Sequence, residues 1–261
     1  MGLMTDRGGP SDEYEVVALP TAQGAASLSP GAAVFLRRSA RPSRRAVLHL
    51  HDLTGSFAPA DLVRWYNERG FHFYVTDLDV REPQDGGGRR RQARSWQSCF
   101  GALDAACQHL RQADGIDAII LSAQHAGAAA AAQWCDARGT ACPVDALILA
   151  SPDFGKAARG RLDIACPVLV ISARPAPQAG RDRAARRAAR GAGAIRLGQH
   201  VTWLYLDEEP AAACTGPQAQ QAWPAGAPLS AQLSPQRRRL FDEMGRWLGA
   251  YMYGQVRDQL L

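Results

Sequence analysis

The chain is short of several things, and each shortage excludes a class of protein. Of its 30 basic residues only one, Lys156, is a lysine, so the +5 formal charge is carried by arginine, alongside abundant alanine and glycine. That usage matches a GC-rich, bacterial-like genome better than a selected nucleic-acid surface. The densest basic stretches, Gly86–Arg94 and Arg181–Arg190, also lack the interleaved aromatics of a single-strand stacking platform. No run approaches the ~20 apolar residues of a membrane-spanning helix. The opening MGLMTDRGGPSDEYE lacks the basic, apolar, small-residue order of a secretory signal, so a cytoplasmic protein is expected. The six cysteines (Cys99, Cys107, Cys135, Cys142, Cys166 and Cys214) include no pair at structural-zinc spacing, so no metal is expected and the thiols read as reduced, mostly buried small residues. No glycine-rich phosphate loop follows a strand, and Gly86-Gly87-Gly88 lacks P-loop or dinucleotide spacing, so no cofactor is expected.

What is present is an alternation of short apolar runs and helical patterns. The predicted strands are Tyr14–Leu19, Ala32–Leu36, Ala46–Leu50, Phe71–Thr76, Asp117–Leu121, Ala146–Ala150, Pro167–Ser172 and Val201–Leu206. The later runs are continuously apolar, as strands covered on both faces require, which predicts a mostly parallel central sheet of about eight strands. Helical spacing falls at Pro59–Arg69, Trp96–Ala113, Ala126–Ala137 and Pro235–Tyr253, where Leu240, Met244, Trp247, Leu248 and Tyr251 recur on one face. Residues 1–13 read as a disordered lead and 14–261 as a single α/β domain. Residues 175–198 read as a surface helix or as partly disordered, and 210–235 as a long loop.

The segment AVLHLHDLTGSFAPADLVRWYNERGFHFYVT, Ala46–Thr76, with Asp77-Leu78 after it, resembles the start of an α/β-hydrolase of the serine aminopeptidase and monoacylglycerol-lipase type. In that family a strand ending in His-Gly leads through a helix to Arg-Gly-Phe and a second strand ending near Asp-Leu. The resemblance continues through Asp117–Asp136, Val144–Pro152, Pro167–Ala173, His200–Leu206 and Arg238–Met252, about four-fifths of the chain. It implies an α/β-hydrolase fold. Function still has to be argued from the site, since this fold hosts many chemistries.

The resemblance also implies a nucleophile elbow, Gly-x-Ser-x-Gly, and here that place reads Ala123-Gln124-His125-Ala126-Gly127. His125 stands where the serine belongs, and Ser122, three residues earlier, falls inside the strand end. The family's general-base histidine follows the last strand, but this chain has no histidine after His200, and the loop reads Asp207-Glu208-Glu209-Pro210. Asp182 is a possible relic of the acid. His51 matches the histidine at the end of the third strand, but the following glycine is replaced by Asp52, a carboxylate beside the place where an oxyanion would form. Backbone N–H groups of Leu53 and Ala126 remain candidates for an oxyanion hole, since such donors need no particular side chain. Only residues 151–166 separate the strands that in the family flank a helical lid, so an essentially lidless protein is expected.

Three readings follow. The first is a pseudo-hydrolase kept as a binding or structural module. Its partner is an unspecified small molecule or protein, a homodimer through the uncovered sheet mouth is possible, and neither membrane nor nucleic acid is favoured. The second is a lyase, isomerase or cyclase that uses His125 as base or nucleophile, with His51 and Asp52 facing it. The third is residual ester or amide hydrolysis through Ser122, Ser151 or a cysteine.

Overall fold

Valine, isoleucine and leucine in the apolar runs supply side chains that pack on both faces of a pleated sheet, and eight such strands pair into one sheet. The computed structural model describes residues 15–19, 34–38, 41–51, 60–77, 90–152, 162–173, 200–206, 229 and 233–252. The strands are β1 (Glu15–Ala18), β2 (Val34–Arg38), β3 (Arg45–His51), β4 (His72–Asp77), β5 (Ala118–Gln124), β6 (Ala146–Ala150), β7 (Val168–Ala173) and β8 (Val201–Leu206). The described helices are α1 (Ala60–Glu68), α2 (Arg90–Gln112), α3 (His125–Arg138) and α4 (Pro235–Met252), with a 3-10 turn at Gly139–Ala141. The sheet order is β1-β2-β4-β3-β5-β6-β7-β8. β1 and β2 are antiparallel to their neighbours, and β3 to β8 run parallel.

Alternation along each strand divides the core in two. On one face Leu48, Leu50, Leu121, Leu147 and Val170 pack under α2 and α3. On the other Val47, Phe73, Ile120, Ile148 and Ile171 pack under α1 and α4. α3 is nearly all alanine where it meets the sheet, and Ala128 to Ala132 are buried, so the helix lies close over β3, β5 and β6. Its far end is fixed by Arg138 and the Trp134 indole, both donating to Asp104 of α2. On the opposite face a buried ion pair joins α4 to α1, with Arg237 Nε and Nη2 donating to the two Asp61 carboxylate oxygens at 2.5 and 2.7 Å. The Arg237 guanidinium also lies 4.9 Å from the Phe241 ring centre.

Strand number, sheet direction and helix order agree with the sequence expectation. Three elements differ from it by two residues or more at an end. β5 runs three residues past Leu121, because Ser122, Ala123 and Gln124 are small or flexible enough to stay in the ladder, pairing as Leu50↔Ala123 and Gln124↔Ala150. β2 lies two residues later than the apolar run suggests, since Arg37 and Arg38 continue its ladder with β4. α2 starts at Arg90, so the second half of the basic stretch Gly86–Arg94 is helical: arginine is a good helix former. The predicted lead at 1–13, the Gly86-Gly87-Gly88 turn, the segment 175–198 and nearly all of 210–235 fall outside the described residues. No described helix is long and apolar enough to cross a membrane.

Candidate functional site

The strand order locates a site before any side chain is considered. From β3 the chain passes through α1 on one face to β4, then crosses back to β5 on the other side of β3 and leaves through α3 on the opposite face. The two connections diverge at the carboxyl ends of β3 and β5, and such a reversal opens a crevice where ligands bind in open parallel sheets. His51 is the last residue of β3, and His125 is the first residue after β5. Register extends the row: His51 pairs with Asp77 at the end of β4, and Gln124 pairs with Ala150, so Ser151 follows β6 beside His125. Asp77, His51, His125 and Ser151 therefore mark the carboxyl ends of four adjacent strands.

Two of these four have left-handed backbones. His125 has φ 46° and Ser151 φ 45°, and among the described residues these are the only non-glycine residues with positive φ. A side chain in that conformation costs about 1–2 kcal/mol. Paired outliers at one sheet edge are the kind of strain that collects at functional sites. At His125 the strain has a local cause: the chain leaves an extended Gln124 (φ −125°, ψ 153°) and enters a helix at once, with no side-chain cap. The first N–H groups of α3, Ala126's among them, have no intrahelical acceptor and open on the same edge. The sharp elbow expected from the sequence is present, with histidine at its apex.

The six histidines sort by position. His72 begins β4, its Nε2 3.1 Å from the Ser43 carbonyl, and His200 is exposed just before β8, both at the amino edge of the parallel strands. His109 lies in α2 near Asp114, with 3.8 Å between Nε2 and Oδ2. His49 is buried inside the sheet, where Nδ1 lies 3.3 Å from Ser122 Oγ and the ring stacks on Phe73 with 5.7 Å between centres. Only His51 and His125 stand at the carboxyl edge. Among the described residues the partly buried His125 ring has no hydrogen-bond or ion-pair partner.

Ser122 is 6% exposed and engaged with a histidine that is 3% exposed, so it has no access to substrate. The sequence reading missed this Ser122–His49 contact. It follows from register, since His49 pairs with Ser122 across β3 and β5. Ser151 sits level with the elbow, its N–H donating to the Ile171 carbonyl at 2.8 Å. Asp52, Leu53, Asp182, Glu208 and Glu209 lie outside the described residues, as does most of the segment expected to replace a lid. Among the described residues no three His, Cys, Asp or Glu side chains converge as a metal site.

No family model and no curated protein matches the chain in sequence. Solved structures do resemble it. The Pyrococcus furiosus esterase Pf2001 is similar over 92% of this chain and 93% of its own, at 12% identity and a TM-score of 0.57. A structure described as an arylesterase is similar over 75% of each chain, at 14% identity and a TM-score of 0.50. At such identities the likeness establishes the fold: the chain has the α/β-hydrolase fold.

Proposed function

We propose that this protein keeps the α/β-hydrolase scaffold and its elbow without ester or amide hydrolysis, and that it is a cytoplasmic binding or structural module whose contact point is His125. The observation that carries this reading is the identity of the residue at the apex, a histidine with φ 46° where hydrolysis needs a serine. Two further losses support it. No histidine follows His200 to act as the base, and the short 151–167 connection leaves little chain for a lid over an acyl pocket. Removing the nucleophile or base of a serine triad costs about six orders of magnitude in turnover, and here both are missing from their places. The four cysteines with described side chains are free thiols, as a reducing compartment requires.

The test joins two measurements on the folded protein: covalent labelling by a fluorophosphonate probe and turnover of p-nitrophenyl acetate. No labelling and turnover at the level of free imidazole are expected. Stoichiometric labelling of a serine, abolished by Ser151→Ala, would overturn the reading in favour of residual hydrolysis.

The paired strain at His125 and Ser151 favours a second reading, in which His125 is a general base in a lyase, isomerase or cyclase. If any activity is found, His125→Ala decides: a drop of 10²–10⁴-fold supports the base, the usual contribution of such a group, and unchanged turnover removes it.

A further inference from the structure

Ala-Cys-Pro-Val occurs twice, at Ala141–Val144 before β6 and at Ala165–Val168 leading into β7. Both copies deliver a cysteine to the amino edge of the sheet, at the end opposite the elbow. α3 supplies a third. Gly139 closes that helix through its N–H to the Asp136 and Cys135 carbonyls, and the 3-10 turn then doubles the chain back, placing Cys142 beside the last turn of α3. Cys135 and Cys166 are buried in the core cluster that also holds Cys107, and Cys142 packs against that cluster from its partly exposed rim. The Cys135 thiol interacts with those of both Cys142 and Cys166. Three thiols from three stretches of chain therefore lie together, and among them only Cys142 borders solvent.

We infer that Cys142 is a redox modification site, oxidised first by peroxide and then resolved by Cys135 into a disulfide that ties the end of α3 to the turn before β6. The Cys142 thiolate attacks the peroxide O–O bond, gaining an S–O bond and expelling hydroxide. The Cys135 sulfur then attacks the resulting sulfenic acid, forming the S–S bond as the S–O bond breaks. The Cys135 proton leaves with that oxygen as water. Each disulfide consumes one hydrogen peroxide and two thiols, and two electrons pass from sulfur to oxygen.

The surroundings fit the order of events. The Cys142 thiol is held below the usual thiol range, first by the Cys135 S–H and then by the Val144 N–H and the Arg138 guanidinium, against burial and the Asp104 carboxylate. Cys135 is held well above that range by its thiol neighbours and by burial, so it is the poorer first nucleophile and the natural second partner. Metal binding is the competing use of clustered thiols, and no metal-holding set is found among the described residues.

Trypsin makes the test direct, because Arg138 separates Cys135 from Cys142, and Lys156 and Arg161 separate Cys142 from Cys166. The folded full-length chain is treated with hydrogen peroxide, quenched in acid, alkylated in denaturant and digested without reduction. A Cys135–Cys142 cross-linked peptide is expected, with loss of two alkylatable thiols and a Cys166 peptide alkylated as before. Cys142→Ser is expected to abolish the cross-link, and Cys135→Ser, which keeps a donor beside Cys142 but cannot form the disulfide, to leave Cys142 as a sulfenic acid captured by dimedone. A Cys142 that survives peroxide after other cysteines have oxidised, or a Cys135–Cys166 or Cys142–Cys166 link in its place, would overturn the assignment.

Discussion

Glycine and alanine at position 125 should reverse their ordinary ranking. In a helix interior alanine is the more stable by about 1 kcal/mol, because glycine loses more backbone freedom on folding. His125 has φ 46°, where any residue with a Cβ carries about 1–2 kcal/mol of strain and glycine carries almost none. Offsetting that relief by glycine's folding entropy, about 0.5–1 kcal/mol, leaves His125→Gly more stable than His125→Ala by about 0.5–1 kcal/mol. Both variants remove the same imidazole, so its contacts cancel in the comparison. Urea denaturation followed by circular dichroism reads the difference as a shift in midpoint at constant slope, and for a chain of this size it corresponds to roughly 1–4 °C in Tm. Equal stability, or a more stable alanine variant, would show that the elbow is unstrained in solution, and the argument from strain to a functional His125 would fall with it.

Two residues on, the sign should revert: Gly127 has no positive φ, and a Cβ there would meet Leu50 at 3.6–3.7 Å, an ordinary contact. Gly127→Ala is therefore expected to stabilise the fold by about 0.5–1 kcal/mol in the same urea assay. At the α1–α4 contact, Asp61→Ala leaves Arg237 buried without its carboxylate and should cost about 3–5 kcal/mol. The double change Asp61→Leu with Arg237→Met should recover most of that loss, and a double variant as unstable as the single one would refute the desolvation argument. Because the Cys142 thiol is lowered, its thiolate fraction, and hence its rate with a disulfide reagent, should reach half-maximum at lower pH than free cysteine does. Cys107, pushed up to about 12 first by burial, should stay unreactive across that range, as a reagent titration followed by peptide mapping would show.

The fold was legible because its signals are redundant. Continuous apolar runs such as Ala146–Ala150 require cover on both faces, and Leu240, Met244, Trp247 and Leu248 repeat at helical spacing, and these residues are buried in the structure. Boundaries were less legible where pairing outweighs residue preference. Ser122, Ala123 and Gln124 carry no strong strand signal, yet β3 and β6 on either side supply partners for their backbone. Cross-strand relations were not legible at all. Nothing local tells that Ser122 Oγ meets His49 Nδ1, or that Ser151 comes level with His125, because both facts depend on register between strands distant in sequence.

The elbow position shows why the residue and the backbone have to be read separately. The sequence places histidine where a serine is expected, and from that alone the turn could have relaxed: without a nucleophile to present, no chemistry requires a strained apex. The structure keeps the left-handed turn nonetheless, and it carries an imidazole there in place of the glycine that would relieve it. Packing accounts for the turn, since the buried alanines of α3 fix the helix against the sheet within a few residues of the end of β5. Packing does not account for the side chain, because glycine satisfies the same turn at lower cost and the described residues offer the ring no partner. The imidazole at this apex is therefore the observation on which the proposed binding role of His125 rests.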